Sequence, residues 1–248
     1  GVAIATVILP NLSRHHASQA EGSYSSTLGW AIKMVLLLSV PAALALILLA
    51  YPILTTLFLY GDVMTVRDMQ MSAMSLRAYA LGLVAFMLIK VLAPGFFARQ
   101  DMTTPVRFGI IAMIFNMILN VLFVFPLHFY WHVGHAGLAL ATALAAYANA
   151  VLLFSGLKRR GIFEGIDDGK VFVSRLLLAL TVMAVTIYLV ANYLGALDEL
   201  IWQGFDWWRR GLRLLSICVI GATVYISVLF VLGLRAKDLR GPPAAVSG

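Results

Sequence analysis

Long apolar runs alternate with short polar connections along the chain, and the runs are too long for strands or ordinary core helices. Six of them, residues 27–49, 69–98, 106–127, 134–157, 171–194 and 214–234, approach or exceed the roughly 20 residues an α-helix needs to cross about 30 Å of hydrocarbon. No water reaches backbone amides at that depth, so they must be satisfied within the segment, and the runs predict helices. Residues 1–10 (GVAIATVILP) are only half a span and predict the end of a helix that starts before the sequence does. Residues 51–60 are also too short to cross alone and are expected to stand apart from the first run, inside which Pro41 predicts a kink. Thr104–Pro105 predicts the cap and first turn of the third helix. The expected fold is an all-α, polytopic transmembrane helix bundle of six full spans plus a partial first helix.

Composition sharpens this picture. Hydrophobic residues make up 62% of the chain and charged residues 12%, about half the charge of an ordinary soluble domain. The net charge of +7 does not point to nucleic acid, because the Lys and Arg sit in the connections and form no continuous basic stripe. Their distribution predicts orientation instead. Arg14, Arg99, Arg107, Lys158, Arg159, Arg160, Lys170, Arg175, Arg235, Lys237 and Arg240 fall on one side, against Arg67, Arg209, Arg210 and Arg213 on the other. The positive-inside bias then places the C-terminal tail in the cytoplasm. Residues 197–213, with Trp202, Trp207 and Trp208, read as an interfacial helix whose arginines meet lipid phosphates. Cys218 is the single cysteine and forms no intrachain disulfide.

Three basic residues, Lys33, Arg77 and Lys90, interrupt apolar runs. A charge at depth costs a few kcal/mol or more, so it faces a cavity or a partner unless it reaches the interface. Lys33 and Arg77 are near enough to a run end to snorkel. Lys90 is nine residues from Arg99, about 14 Å along a helix axis, and is the candidate for a polar cavity. Asn116 and Asn120 share a helix face at i, i+4, and Asn149 lies in the middle of the fourth run. Such amides either join helices, at about 0.6–2 kcal/mol each, or meet a substrate. Lys90, Asn116, Asn120 and Asn149 are the candidate cavity-facing set. Gly137, Ala141 and Ala145 form a smooth strip for close helix approach.

His128, His132 and His135 have no nearby carboxylate or thiolate, and Tyr130 and Trp131 beside them fit an aromatic belt, so no metal site is expected. There is no nucleophile elbow, P-loop or HExxH, and no acidic residue interrupts a full run. A non-enzyme without cofactor is expected.

The stretch KVLAPGFFARQDMTTPVR, residues 90–107, resembles the signature of the MurJ/MviN lipid II flippases, members of the MOP exporter superfamily. GVAIATVILPNLSR, LGWAIKMVLLLSVPAAL, LFLYGD, AYALGL, GHAGLALATALAAYANAVLL and LKRRGIF support it in the same order, over nearly the whole chain. The resemblance implies a 14-helix transporter of two lobes around a central cavity, with this sequence as the C-terminal lobe and the N-terminal lobe as its partner. It implies the bacterial inner membrane, lipid II as the translocated partner beside ordinary membrane lipids, and a groove for the polyprenyl tail on the last two helices. Lys90 matches the motif, as do Arg99, Asp101 and Arg107 in its cytoplasmic loop. The headgroup-binding arginines of the family fall outside this sequence, and no role passes to Arg77. Outward movement of a pyrophosphate along an inside-negative potential is favourable by about 2.3 kcal/mol per charge per 100 mV. Competing expectations are an exporter of another lipid-linked oligosaccharide or a drug, a polyprenyl-processing membrane enzyme using Glu164, Asp167 and Asp168, and a structural subunit.

Overall fold

A computed structural model describes residues 21–59, 65–131, 134–161, 163 and 169–234. Among these residues there are seven helices: α1 (Glu21–Phe58), α2 (Val66–Phe97), α3 (Thr103–Trp131), α4 (Gly134–Arg159), α5 (Gly169–Tyr193), the short α6 (Glu199–Gln203) and α7 (Trp207–Val231). No strand occurs among them. All but α6 are long and apolar enough to cross a membrane.

The helices outrun the apolar runs, and four expectations change. Residues 51–58 do not stand apart: α1 is one helix of 38 residues through Pro41 and Pro52. Proline is tolerated in such a helix because neighbouring groups take up the freed backbone positions. Thr104 is not the cap of α3, which starts one residue earlier; Asp101 Oδ1 accepts the Thr104 N–H at 3.0 Å and does that work. His128, Tyr130 and Trp131 belong to the end of α3 and not to a loop. The last long helix begins at Trp207, before the expected run at 214, so residues 207–213 of the Trp- and Arg-rich segment are its first turns. The partial helix 1–10, His132, the acidic residues of 164–168 and the tail from 235 lie outside the described residues.

Three helices end in the same backbone device. At the ends of α2, α5 and α7 the N–H of residues 101, 196 and 234 reaches back to the carbonyls of Phe96, Ala191 and Leu229. This closure needs a left-handed residue, normally glycine. Gly195 (φ 73°) and Gly233 (φ 88°) supply it for α5 and α7, whereas α2 uses Gln100 (φ 62°).

Packing divides the bundle. α4 packs against both α2 and α3, α1 packs against α2, and the α5–α7 pair packs against α1. Lipid tails are as apolar as leucine, so contact between spans rests on close fit more than on the hydrophobic effect. The α2–α4 contact is made with small residues, and the expected Gly137, Ala141 and Ala145 strip is buried along with Ala139, Ala143, Ala146 and Ala150. Leu28, Ala31 and Val35 of α1 close a core with Val91, Leu92 and Phe96 of α2 and Leu153 and Leu157 of α4. Large side chains left outside, such as Ile110, Ile114 and Ile118 of α3, are on surfaces suited to lipid.

Candidate functional site

A cavity of about 420 Å³ lies between α2, α3 and α4, lined by Phe86 and Ile89, by Gly109, Ala112, Met113, Asn116 and Met117, and by Thr142, Ala145, Ala146 and Asn149. Ala112, Ala145 and Ala146 are buried between the helices, and at Gly109 a side chain would meet open space, so room is left between larger neighbours. Asn116 and Asn149 therefore meet one cavity although they come from different helices. Asn120 Nδ2 donates to Asn116 Oδ1 at 2.6 Å, one turn along α3. The Oδ1 of Asn149 is buried and has no partner among the described residues. Thr142 spends its hydroxyl proton on Leu138 O within α4. The site is a neutral, amide-lined recess in apolar walls, suited to hydrogen-bonding an uncharged polar group.

Lys90 does not join that recess. It is exposed on α2 and is not among the residues that line the cavity, although Phe86, one turn earlier on α2, is. Arg77 is exposed, with Nε donating to Ile47 O at 3.3 Å. Lys33 is half-buried on α1. Among the described residues no group of three or more His, Cys, Asp and Glu converges as a metal site.

The Arg99, Asp101 and Arg107 motif frames the α2–α3 turn. Asp101 caps α3 with one carboxylate oxygen and pairs through the other with Arg160 at the end of α4. Arg160 Nη2 also donates to Thr104 Oγ1 at 2.8 Å, and its guanidinium lies 5.6 Å from the Phe96 ring centre. Hydrogen bonds from the Thr104 side chain and backbone, then the pairing with Arg160, hold the Asp101 carboxyl below its usual range. Arg99 is half-buried at the turn, and Arg107 is exposed on the first turns of α3. The motif thus ties three helix ends together, and Arg160, distant in sequence, is the member that motif reading missed.

The Trp- and Arg-rich segment departs from expectation. Arg210 is only 8% exposed and does not meet lipid phosphate. Its guanidinium donates to Gln203 O (2.6 Å), Phe205 O (2.8 Å) and Thr55 O (3.4 Å), binding the α6–α7 link to α1. Arg213 donates to Leu194 O at 2.9 Å and lies 3.7 Å from the Phe205 ring centre. Trp202 is fully buried, and of the tryptophans and arginines of this segment Arg209, Trp207 and Trp208 are the ones exposed. The reason is rotational. With the helix starting at Trp207, Arg210 joins the inward stripe of Ile217, Gly221, Tyr225 and Leu229.

A family model described as "Lipid II flippase MurJ" matches residues 1–200. The "Probable lipid II flippase MurJ" of Vibrio cholerae serotype O1 is 42% identical over 97% of this chain and 43% of its own length. That of Haemophilus influenzae is 39% identical over 96% of this chain and 46% of its own. The "Lipid II flippase MurJ" of Burkholderia cenocepacia is 38% identical over 97% and 44%. The chain therefore spans less than half the length of these curated relatives. In structure it is similar to "Lipid II flippase MurJ, inward closed conformation", with a TM-score of 0.70 at 23% identity, over 92% of this chain and 42% of that one. At that identity the likeness bears on the fold.

Proposed function

The chain belongs to the lipid II flippase MurJ family, and from that premise we propose that it forms the C-terminal lobe of a transporter that carries lipid II across the bacterial inner membrane by alternating access. The family match across residues 1–200 carries the reading, and the six candidate spans make this a multi-pass membrane protein.

Lys90 supports a two-lobed arrangement. An exposed ammonium within an apolar helix cannot rest against hydrocarbon, so its face of α2 looks onto a water-filled cavity shared with the other lobe. In this reading Lys90 offsets part of the desolvation of a pyrophosphate headgroup, while Asn116, Asn120 and Asn149 supply neutral hydrogen bonds behind it. The outer faces of α5 and α7 expose Val173, Leu177, Leu189, Leu215, Val219 and Phe230, an uncharged surface along which a polyprenyl tail can lie. The charge distribution places the C-terminus, the Asp101–Arg160 cluster and the Arg99 and Arg107 side chains in the cytoplasm.

The test is complementation by the complete gene product in cells depleted of their lipid II flippase. Growth, with lipid II reaching the outer leaflet, is expected. Failure despite normal membrane expression transfers the reading to an exporter of another lipid-linked oligosaccharide. In the same cells Lys90→Ala is expected to abolish rescue, and full rescue removes Lys90 from the headgroup path. A reporter fused to the C-terminus and active only in the periplasm is expected to stay silent; activity reverses the orientation.

A further inference from the structure

At the end of the bundle that holds the α1–α2 and α5–α7 connections, a second cavity, of about 550 Å³, opens between α1, α2 and α6. Its walls contain two guanidinium groups, Arg67 and Arg77, and one carboxylate, Glu199. The α6 turn closes it through two side-chain bonds, Gln70 Nε2 to Glu199 Oε2 at 2.6 Å and Gln203 Nε2 to Tyr51 Oη at 2.7 Å. Glu199 is thus held by an amide, and among the described residues neither arginine is within ion-pair distance of a carboxylate. The bond from Arg77 to Ile47 O uses Nε, which leaves its terminal nitrogens for a ligand.

The position of this cavity limits what can enter it. α2 has 32 residues, about 48 Å of helix against about 30 Å of hydrocarbon, so its first turns stand at headgroup level. Side chains on a helix lean toward its N-terminus, which carries the Arg77 guanidinium from deeper in the span up toward the level of Gln70. Met71, Met74 and Ala73 make the rest of the wall apolar. The result is a net positive recess at the membrane surface with an apolar floor. Arginine presents a planar fork of donors that matches phosphate oxygens.

We propose that this cavity is a lipid-phosphate site, in which Arg67 and Arg77 hold the phosphate of a membrane lipid headgroup beneath the α6 turn. It rests on the membrane reading of the six spans and not on the identity of the translocated cargo. Phosphate on a lipid has two sources here, bulk phospholipid and polyprenyl phosphate, and the same recess accepts either.

The test is native mass spectrometry of the complete gene product released from nanodiscs of phosphatidylethanolamine and phosphatidylglycerol, with and without added undecaprenyl pyrophosphate. Arg67→Gln with Arg77→Gln is expected to lower the retained occupancy of at least one of these lipids roughly tenfold, as loss of charge-assisted bonds implies. Loss confined to the two phospholipids identifies a bulk-lipid site, and loss confined to the polyprenyl species identifies a site on the cargo's route. Equal retention of every lipid by wild type and variant overturns the proposal. If the double variant fails to accumulate, the two single variants are read in the same way, with Arg→Lys partners checking that charge alone does not restore retention. Rescue of growth by a variant that has lost lipid retention leaves the flippase reading intact, so the two readings fail separately.

Discussion

Between α2 and α4 the closest approach is at small residues, Gly82 against Ala143 with Ala85, Ala146 and Ala150 nearby, while between α5 and α7 larger side chains, Met183, Ile187, Ile217, Tyr225 and Leu229, fill most of the contact around Gly221. A Cβ placed on Gly82 of α2 meets the Ala143 backbone Cα at 2.9 Å. A Cβ placed on Gly221 of α7 meets Ile187 Cγ1 at 2.8 Å. The distances are nearly equal, but at Gly82 the neighbour is main chain, which moves only with its whole helix, and at Gly221 it is a side chain, which can shift locally. In the α1–α4 body the main chains of α2 and α4 approach closely at Gly82 and Ala143, and α1 and α3 join that pair through side chains such as Leu28 and Phe108. The α5–α7 pair is joined to it through side chains on α1 and through the polar fastenings of Arg210, Tyr225 and the α6 turn. A stiff α2–α4 contact and a more adjustable α5–α7 contact are the expected consequence.

The contrast is broken most directly at the two glycines. Gly82→Leu is expected to cost about 3 kcal/mol or more by overpacking and to remove the folded protein from detergent extracts. Gly221→Ala is expected to stay within about 1 kcal/mol of wild type, since helix propensity gained offsets the displaced isoleucine. Thermal unfolding of both in detergent decides the matter, and similar losses at the two sites erase the distinction. Arg210→Met follows in size, at about 2–3 kcal/mol, because buried carbonyls lose a charged donor. It is expected to open residues 195–206 to limited proteolysis while the α1–α4 body stays resistant. Proteolysis that begins in α2 or α4 contradicts the division.

A smaller effect is expected where one hydrogen bond joins the two regions. Tyr225 Oη donates to Leu37 O at 2.8 Å, and Tyr225→Phe is expected to cost about 1 kcal/mol, read as a lowered unfolding midpoint with expression unchanged. The smallest effect lies at the α2–α3 turn. Asp101 has its carboxyl held below the usual range, so the stabilisation it gives is present above its unfolded pKa and is lost as pH falls through the lower folded value. Stability is expected to be flat from pH 5 to 8 and to fall in acid, below about pH 4, and Asp101→Asn removes that acid-dependent part. Arg160→Ala is worth less than about 1 kcal/mol, because its side chain is 47% exposed.

Much of the fold was legible from residue order. Every run expected to span lies within a helix apart from a few terminal residues, because hydrocarbon leaves the backbone no alternative to helix over about 20 residues. The Gly137, Ala141 and Ala145 strip was also legible, since small residues at helical spacing have few other uses in a membrane. The candidate site was legible only in part. Asn116 and Asn149 were singled out separately, and nothing in the order of residues says that they share a cavity whose walls do not include Lys90. Charge pattern misplaced Arg210, because lipid phosphate and backbone carbonyl are both acceptors for arginine. The seven- and four-residue steps linking it to Ile217, Gly221 and Tyr225 were the signal that marked it as inward.

Residue chemistry by itself therefore determined that this protein is a bundle of membrane-spanning helices, which runs cross, and which family motif it carries. Only the tertiary structure decided which polar groups meet: Asp101 with Arg160, Arg210 with Thr55, and Gln70 with Glu199, whose partners lie 59, 155 and 129 residues apart. Spanning is a local property, settled by the solvent each segment can tolerate. The pairing of distant side chains depends on helix rotation and crossing, which are set by close fit between surfaces that far-separated residues contribute.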